Sequence, residues 1–339
     1  MAANQPLQIC VVVIPDGAVS TLFGVFDVLQ ALPELLNTFA QGAKQPVFSV
    51  ELVSTRAGSL TLASGVTIDV PTGVDDEPQA DIVIVPSVYV SEMGWVQGRY
   101  PELVDWLTRM NRRGALLCSA CSGVFLIAET GLLNRQAVTV HWMYADLFAA
   151  SYPEVDLYPD KSLVVSGERE EFISSGASTS WHDLLLYLVL RHAGQSAAQI
   201  MAKFFALQWH RDGLAPYAVF QPLMNHGDTI VREAQAWLEG HFNASSPVQQ
   251  LVQRSGLAER TFKRRFSVAT GHSPLDYTQR LRIEAAKRQL EQTDEPVDEI
   301  AWAVGYEDPA FFRRLFKRTT GISPGAYRRT FQLPVATTP

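Results

Sequence analysis

The chain has 339 residues, 47% hydrophobic and 19% charged, with a formal net charge of −7. That length suggests two domains, with enough apolar mass for real cores. Three cysteines, Cys10, Cys118 and Cys121, without a spacing pattern do not suggest a disulfide framework and point to a reducing cytosol. The start Met-Ala-Ala-Asn-Gln-Pro lacks the basic region of a signal peptide, and no apolar run approaches the roughly eighteen residues of a membrane span. The charge is unevenly spread: Ile230 to the end carries net +4 and the remainder −11. A basic module is therefore joined to an acidic one, which fits DNA binding confined to the C-terminal part.

Leu7 to Pro15 is a continuous apolar run, as in a strand buried on both faces. Residues 20 to 40 follow with helical spacing, placing Leu22, Phe26, Leu29 and Leu36 on one side. Val47 to Ser54 and Asp81 to Ser87 predict further strands. A helix over 99–113 precedes Gly114 to Ala120, another buried strand. This alternation predicts an α/β domain, a parallel sheet covered by helices on both sides.

The chemically informative point is the end of that last strand. Cys121-Ser122-Gly123 leads into Val124 to Thr130, with Gly131 as a helix stop. A small-residue turn between strand and helix has the form of a nucleophile elbow. It predicts Cys121 in the crevice beyond the carboxyl end of the sheet. The following helix N-terminus is expected to lower the thiol pKa and to offer amides to a carboxylate. Cys121 read without function is a small packing residue at a tight turn. His141 and Trp142 either pack at the sheet edge or line the pocket, where Trp142 forms an aromatic wall for a cationic group. Asp183 is either a helix-start carboxylate with local duties or the counter-ion of an effector amine.

The stretches Cys121-Ser122-Gly123, Ala128 to Leu133 and Thr139-Val140-His141-Trp142, with the later Ser174-Ser175-Gly176-Ala177 and Asp183-Leu184, resemble the class I glutamine amidotransferase-like, or DJ-1/PfpI, fold. The resemblance covers roughly residues 7 to 195. Catalysis needs a nucleophile, a base and a group that orients the base. Cys121 supplies the first, and His141 or the His182-Asp183 pair could supply the others. Two departures argue against it. DJ-1-like proteins place a glutamate after strand one, where this sequence has Ala18-Val19-Ser20-Thr21-Leu22. PfpI-like proteases place a histidine directly after the cysteine, where Ser122 stands. The expectation is a ligand-sensing crevice on a retired active site, with no catalytic residue, no cofactor and no metal. Its effector-binding residues are Cys121, Ser122, His141, Trp142 and Asp183. The alternative is a Cys-dependent amidase or glyoxalase-like enzyme carrying a DNA-binding tail.

Residues 161 to 176 predict a hairpin, and Thr179–His192 and Ser196–Ala206 predict helices. Arg211 to Gly227 has Gly, Pro and Asn but little helical period, so it reads as a connection. Its aromatics suggest that it docks on the first domain. The expected domains are 7–210, a linker over 211–227, and 228–332, with a frayed tail beyond Phe331. Asp228 caps the first helix of the second domain.

Residues 251 to 328 contain one pattern written twice, offset by about fifty residues, as expected of a duplicated supersecondary unit. Ser246 and Pro247 read as N-cap and N1 of a short helix carrying Leu251 and Val252. Gly256 turns the chain, and a second helix buries Phe262 and Phe266 while exposing Arg260, Lys263 and Arg264. In the second copy Asp308-Pro309 opens a helix that buries Phe312 and Phe316 and exposes Arg313, Arg314 and Lys317. Leu275 to Gln292 predicts a connecting helix about 27 Å long. A spacer of that length holds two recognition helices about one DNA turn, roughly 34 Å, apart.

Ala301-x-x-Val304-Gly305-Tyr306, Phe312-x-x-x-Phe316-Lys317, Gly321-Ile322-Ser323-Pro324 and Tyr327-Arg328-Arg329 resemble the AraC-type DNA-binding domain. One departure is Ala258, where that family has a serine cap, at a cost of about 1 kcal/mol of helix nucleation. An amidotransferase-like domain joined to this module is similar to the GlxA-like regulators. The resemblance implies a cytoplasmic, sequence-specific transcription factor. Its partners would be double-stranded DNA, a small, nitrogenous effector and a second copy of the chain, with no membrane.

Overall fold

Leu7-Gln-Ile-Cys-Val-Val is apolar at both parities because both faces of its strand are covered. Ile9 and Val11 enter one core, and Cys10 and Val12 enter another, as alternation along a strand requires. A computed structural model of the chain describes residues 5–39, 47–91 and 94–333. It separates two compact units, Met1–Leu214 and Ala215–Pro339. The last residue of the helix expected over 20–40 and the tail beyond 333 lie outside the described residues.

The first unit runs β1 (Leu7–Val12), α1 (Val19–Phe39), β2 (Phe48–Ser54), the hairpin β3 (Gly58–Thr61) and β4 (Thr67–Val70), β5 (Thr72–Gly73) and β6 (Ile82–Val85). It continues through α2 (Pro101–Arg112), β7 (Leu116–Ala120), α3 (Val124–Ala128), β8 (Ala137–Val138), α4 (Ala145–Ser151) and β9 (Asp156–Leu157). It ends with β10 (Leu163–Ser166), β11 (Phe172–Ser175), α5 (Trp181–Ala193) and α6 (Gln195–Phe205). The seven-stranded sheet has the order β10-β11-β7-β6-β1-β2-β5. Its pairs are parallel except β10 with β11. One face packs on α1, α5 and α6. The other packs on α2, α3 and α4, around the fully buried Trp106, Phe125 and Phe148.

The strands are shorter than their apolar runs. Pro15 and Pro86 lie just beyond β1 and β6, where a residue without an N–H cannot extend the ladder. The β3–β4 hairpin was not expected from the sequence, because Gly58-Ser-Leu-Thr is largely exposed and carries no apolar alternation. One expectation is corrected by α1: by length and composition this helix could cross a membrane. Asp27 and Glu34 interrupt the run without lowering its mean hydropathy enough to exclude it. Its stripe from Thr21 to Leu36 is buried at three- and four-residue spacing, in the first core.

The second unit is helical: α7 (Thr229–His241), α8 (Pro247–Ser255), α9 (Glu259–Thr270), α10 (Pro274–Gln292), α11 (Val297–Ala303), α12 (Pro309–Thr320) and α13 (Pro324–Phe331). It has two small cores. Val231, Leu238, Leu251, Phe262, Phe266 and Tyr277 form one. Ile283, Leu290, Ile300, Val304, Phe312, Phe316 and Tyr327 belong to the other. The central helix α10 contributes Tyr277 to the first and Ile283 and Leu290 to the second, so one rod carries both copies of the repeat.

The connection expected over 211–227 divides. Leu214 donates its N–H to the Asp160 carbonyl, 2.7 Å, inside the first unit. Within the second unit, the residues that follow meet its helices. Buried Lys287 donates to the Ala218 carbonyl at 2.6 Å, fully buried Gln235 donates to Leu223 at 3.1 Å, and Phe220 packs 5.1 Å from Tyr277. Among the groups that follow, the carbonyls of Ala218 and Leu223 and the rings of Tyr217 and Phe220 meet partners on α7, α10 and α13.

Candidate functional site

Cys121 has φ +55°, the left-handed region that a non-glycine residue adopts only under constraint. The constraint is visible two residues on. A Cβ on Gly123 would stand 2.3 Å from the Val85 carbonyl oxygen and 2.4 Å from that of Pro86, so only glycine lets the turn press against the end of β6. Ser122 closes the same contact, since its hydroxyl accepts from Val88 N–H at 2.9 Å and donates to the Val88 carbonyl at 2.5 Å. Ser122, expected in the effector site, is thus fully engaged in holding the elbow.

Cys121 is 3% exposed. Its neighbours are hydroxyls: Ser178 Oγ lies 3.9 Å from Cys121 Sγ, with Ser87 and Ser122 also close to it. Ser87 in turn accepts from Thr21 Oγ1 at 3.0 Å. Burial pushes the thiol pKa up, and these hydrogen bonds only partly oppose it. The expected lowering by the helix N-terminus is therefore overturned. The α3 helix has five residues, and desolvation outweighs so short a dipole. Among the described residues, the groups that hydrogen-bond to this protonated thiol are neutral hydroxyls.

This makes Cys121 slow to alkylate. The thiolate is the reacting form, so iodoacetamide at pH 7 is expected to modify native Cys121 about tenfold more slowly for each unit of the upward shift. The rate should rise with pH. Site-resolved mass spectrometry checks this, and modification as fast in native as in unfolded protein would refute a buried, protonated thiol.

A cluster of rings reaches the elbow through Tyr144. His141 lies 5.2 Å from Trp142 and 5.9 Å from Tyr144 by ring centroids, and its Nδ1 accepts from Met143 N–H at 3.2 Å. Burial lowers the His141 pKa, so the ring is a neutral acceptor at pH 7. Tyr144 is held above its ordinary pKa by burial and by Cys121 and Tyr89 nearby. Tyr89 and Met143 are exposed. The structure thus gathers His141 and Trp142 with Tyr144, and sets Tyr144 by Cys121 and Tyr89; the two tyrosines had no signal in the sequence.

Asp183 is fully buried, and His210 occupies both of its oxygens. The His210 backbone N–H donates to Oδ1 at 2.8 Å, and His210 Nδ1 lies 2.6 Å from Oδ2. Of the two duties read from the sequence, the geometry shows the local one: a tie between the start of α5 and the segment after α6. The hydrogen bond to Asp183 raises the His210 pKa despite desolvation. A raised folded-state pKa stabilises fully below the unfolded value, about 6.5, and this contribution is lost as pH climbs through the folded value. His210→Ala is expected to destabilise the first unit by about 1.5–3 kcal/mol at pH 5.5 and by less at pH 8.5. Denaturant unfolding at the two pH values checks this; equal losses would contradict it.

In the helical unit the repeat extends to its hydrogen bonds as well as its residues. Thr270 and Thr320 donate to the carbonyls of Phe266 and Phe316 at 2.8 and 2.9 Å, and Ser273 and Ser323 cap the following helices. Gly256 and Gly305 turn with φ +65° and +91°, as a helix–turn–helix requires. Asp228 and Asp308 cap α7 and α12. The cap expected at Ser246 does not form: that residue sits at φ +52° with no side-chain cap bond. Pro247 at N1 opens α8 instead, and Ala258 leaves α9 uncapped by any side chain.

Arg260, Lys263 and Arg264 on α9 and Arg313, Arg314 and Lys317 on α12 are all exposed, opposite the buried phenylalanines. Lys263 pairs with Glu259 at 2.5 Å, Arg313 with Asp298, and Arg314 loosely with Asp308 at 3.9 Å. At 19 residues, α10 is about 28 Å long. Among the described residues, no three His, Cys, Asp or Glu side chains cluster to hold a metal.

A helix-turn-helix domain family matches residues 251–330. The HTH-type transcriptional regulator CdhR of Pseudomonas aeruginosa is 26% identical over 295 residues, covering 85% of this chain and 84% of that protein. The HTH-type transcriptional regulator GlxA of Rhizobium meliloti is 22% identical over 301 residues, covering 85% and 87%. Residues 251–330 form an AraC-type helix-turn-helix domain, and over most of its length the chain is similar to HTH-type transcriptional regulators. A crystal structure of a candidate transcriptional regulator protein from Vibrio parahaemolyticus shares the fold over 59% of this chain and 99% of its own, with TM-score 0.51 and 18% identity.

In this AraC-type module one residue outside the basic faces ties both copies together. Arg282 on α10 donates to the carbonyls of Phe242 at 2.7 Å, Ala244 at 3.0 Å and Gly305 at 2.8 Å. Its guanidinium also lies 5.1 Å from the Tyr306 ring. It satisfies the open carbonyls after α7 and braces the second turn. In sequence it is one of many arginines on an amphipathic helix, with nothing to single it out.

Proposed function

We propose that this DNA-binding regulator reads an extended duplex site through both helix–turn–helix copies and that a small molecule bound in the N-terminal domain modulates the reading. The observation that carries the proposal is the pairing of two exposed basic recognition helices on a single rod. Arg260, Lys263 and Arg264 serve one major-groove segment, and Arg313, Arg314 and Lys317 the next on the same face of the duplex. A homodimer, acting in the cytoplasm, presents two such modules to repeated half-sites.

The effector reading rests on the elbow at Cys121 and on the ring cluster of His141, Trp142 and Tyr144, which reaches it through Tyr144. Cys121 and Ser122 contribute the floor, and Asp183 acts only through His210. Aromatic rings with a neutral imidazole suit a nitrogenous, cationic metabolite better than an anion. An effector controls the protein only by favouring one domain arrangement over another.

The test is a thermal-shift screen of amino acids and quaternary amines on the full chain, followed by anisotropy titration of enriched duplexes with each hit. A true effector raises stability with concentration and changes DNA affinity. A screen in which no metabolite moves either quantity would defeat the effector reading while leaving DNA binding in place. Amide or glyoxal turnover that Cys121→Ala abolishes would instead install the enzyme reading, which the hydroxyl-lined thiol disfavours.

A further inference from the structure

Phe262, Phe266, Phe312 and Phe316 are fully buried, yet Phe311, beside Phe312, is 41% exposed. Core packing does not account for its position. Phe311 sits in the first turn of α12, and with Arg314 and Arg318 it recurs at i, i+3 and i+7, one continuous stripe. All three side chains are exposed. Behind it the ring of Tyr306, itself 7% exposed, lies 6.0 Å away. Tyr306 is held in turn by the Arg282 guanidinium. The phenyl ring is thus braced on its inner side and open on its outer side, at the N-terminal end of a stripe that continues with two cations. A lone exposed aromatic elsewhere on a surface needs no explanation. This one stands at the end of the helix that a helix–turn–helix lays against base edges.

We infer that Phe311 is a specificity-determining residue that reads the C5-methyl group of a thymine in the major groove. The inference rests on the proposed DNA-reading role of α12. The physical reason is that the thymine methyl is the one apolar group that base pairs present there. A phenyl ring seated on it removes both apolar surfaces from water, while Arg314 and Arg318 on the same stripe are placed to reach the flanking phosphates. The matching position in the first copy is Thr261, also exposed. It is smaller and polar at its tip, so the two copies are predicted to differ in how strongly they demand thymine.

The test uses the full chain and a duplex enriched with it from a random pool. Each thymidine of that duplex is replaced singly by deoxyuridine, which lacks only the methyl group. Burying one methyl is worth about fourfold in affinity, so the wild type is expected to lose about that much at one position of the α12 half-site. Phe311→Ala should bind the thymidine duplex more weakly and show no further loss on that deoxyuridine. Phe311→Leu should keep most of the discrimination, and circular dichroism should show both variants folded. A wild type indifferent to every deoxyuridine, or a Phe311→Ala that keeps the full methyl preference, overturns the inference. A chain that enriches no duplex sinks the DNA-reading proposal, and this inference with it.

Discussion

Replacing Lys263, Arg313 and Arg314 together by alanine is expected to abolish measurable operator binding at moderate salt while leaving the protein folded. Each change that removes a base-reading side chain should cost about 1–3 kcal/mol, so the triple variant should bind at least about a hundredfold more weakly. Changes that remove a phosphate-binding cation should flatten the salt dependence, by about 0.9 in log K against log salt for each phosphate left without its cation. The ion pairs that Lys263 and Arg313 make with Glu259 and Asp298 do not argue against this role. Those pairs are exposed, and exposed pairs are worth at most about 1 kcal/mol, so a phosphate readily displaces the carboxylate. Fold is preserved because the buried faces of α9 and α12 carry none of the three side chains. A gel-shift or anisotropy titration at fixed salt checks the prediction; wild-type affinity in the triple variant would remove the assignment of these helices to DNA.

The second large effect is expected at Arg282. Alanine there leaves the carbonyls of Phe242, Ala244 and Gly305 without their donor. Burial lowers the guanidinium pKa but does not deprotonate it at any accessible pH, so alanine removes a charged network rather than a neutral hydrogen bond. Charge-assisted hydrogen bonds are worth about 1.5–3 kcal/mol each in stability, and the destabilisation here should reach about 3 kcal/mol. For a unit of this size that lowers the melting temperature by more than about 10 °C. Lysine should recover only part of it, because an ammonium cannot reproduce a planar fork that serves three carbonyls on two segments. Thermal unfolding of the full chain, with hydrogen exchange to assign the transition to α7–α13, decides it. An Arg282→Ala protein melting within a degree or two of the wild type would show that the three bonds are not cooperative.

The two predictions differ in how far the sequence could anticipate them. The basic faces were legible because a helix repeats every 3.6 residues: Phe262 and Phe266, or Phe312 and Phe316, declare the buried side and leave the cations opposite. The elbow was legible for a related reason. Cys121-Ser122-Gly123 between an apolar strand and an apolar helix is a local conformational statement, and the close approach at Gly123 leaves no room for another residue. Arg282 gave no such sign, since its three carbonyl partners lie 40, 38 and 23 residues away.

The chemistry of the elbow was misread in sequence for the same reason. The turn suggested an activated thiol because the helix that follows it is adjacent in the chain. What decides its protonation is burial by groups brought in from elsewhere in the chain; Ser87 and Ser178, which only partly oppose it, arrive from other loops, and Thr21 reaches Ser87 from α1. Asp183 likewise looked available until His210, 27 residues on, closed over it. The connector looked like a linker until Lys287 and Gln235 took its carbonyls. What the sequence by itself determined is the local part: two amphipathic repeats, one rod, one sheet and one tight turn, all governed by short-range periodicity and steric limits. What only the tertiary structure decided is which polar groups are removed from water and which partners they meet there. Desolvation and pairing depend on neighbours that the chain brings together from a distance.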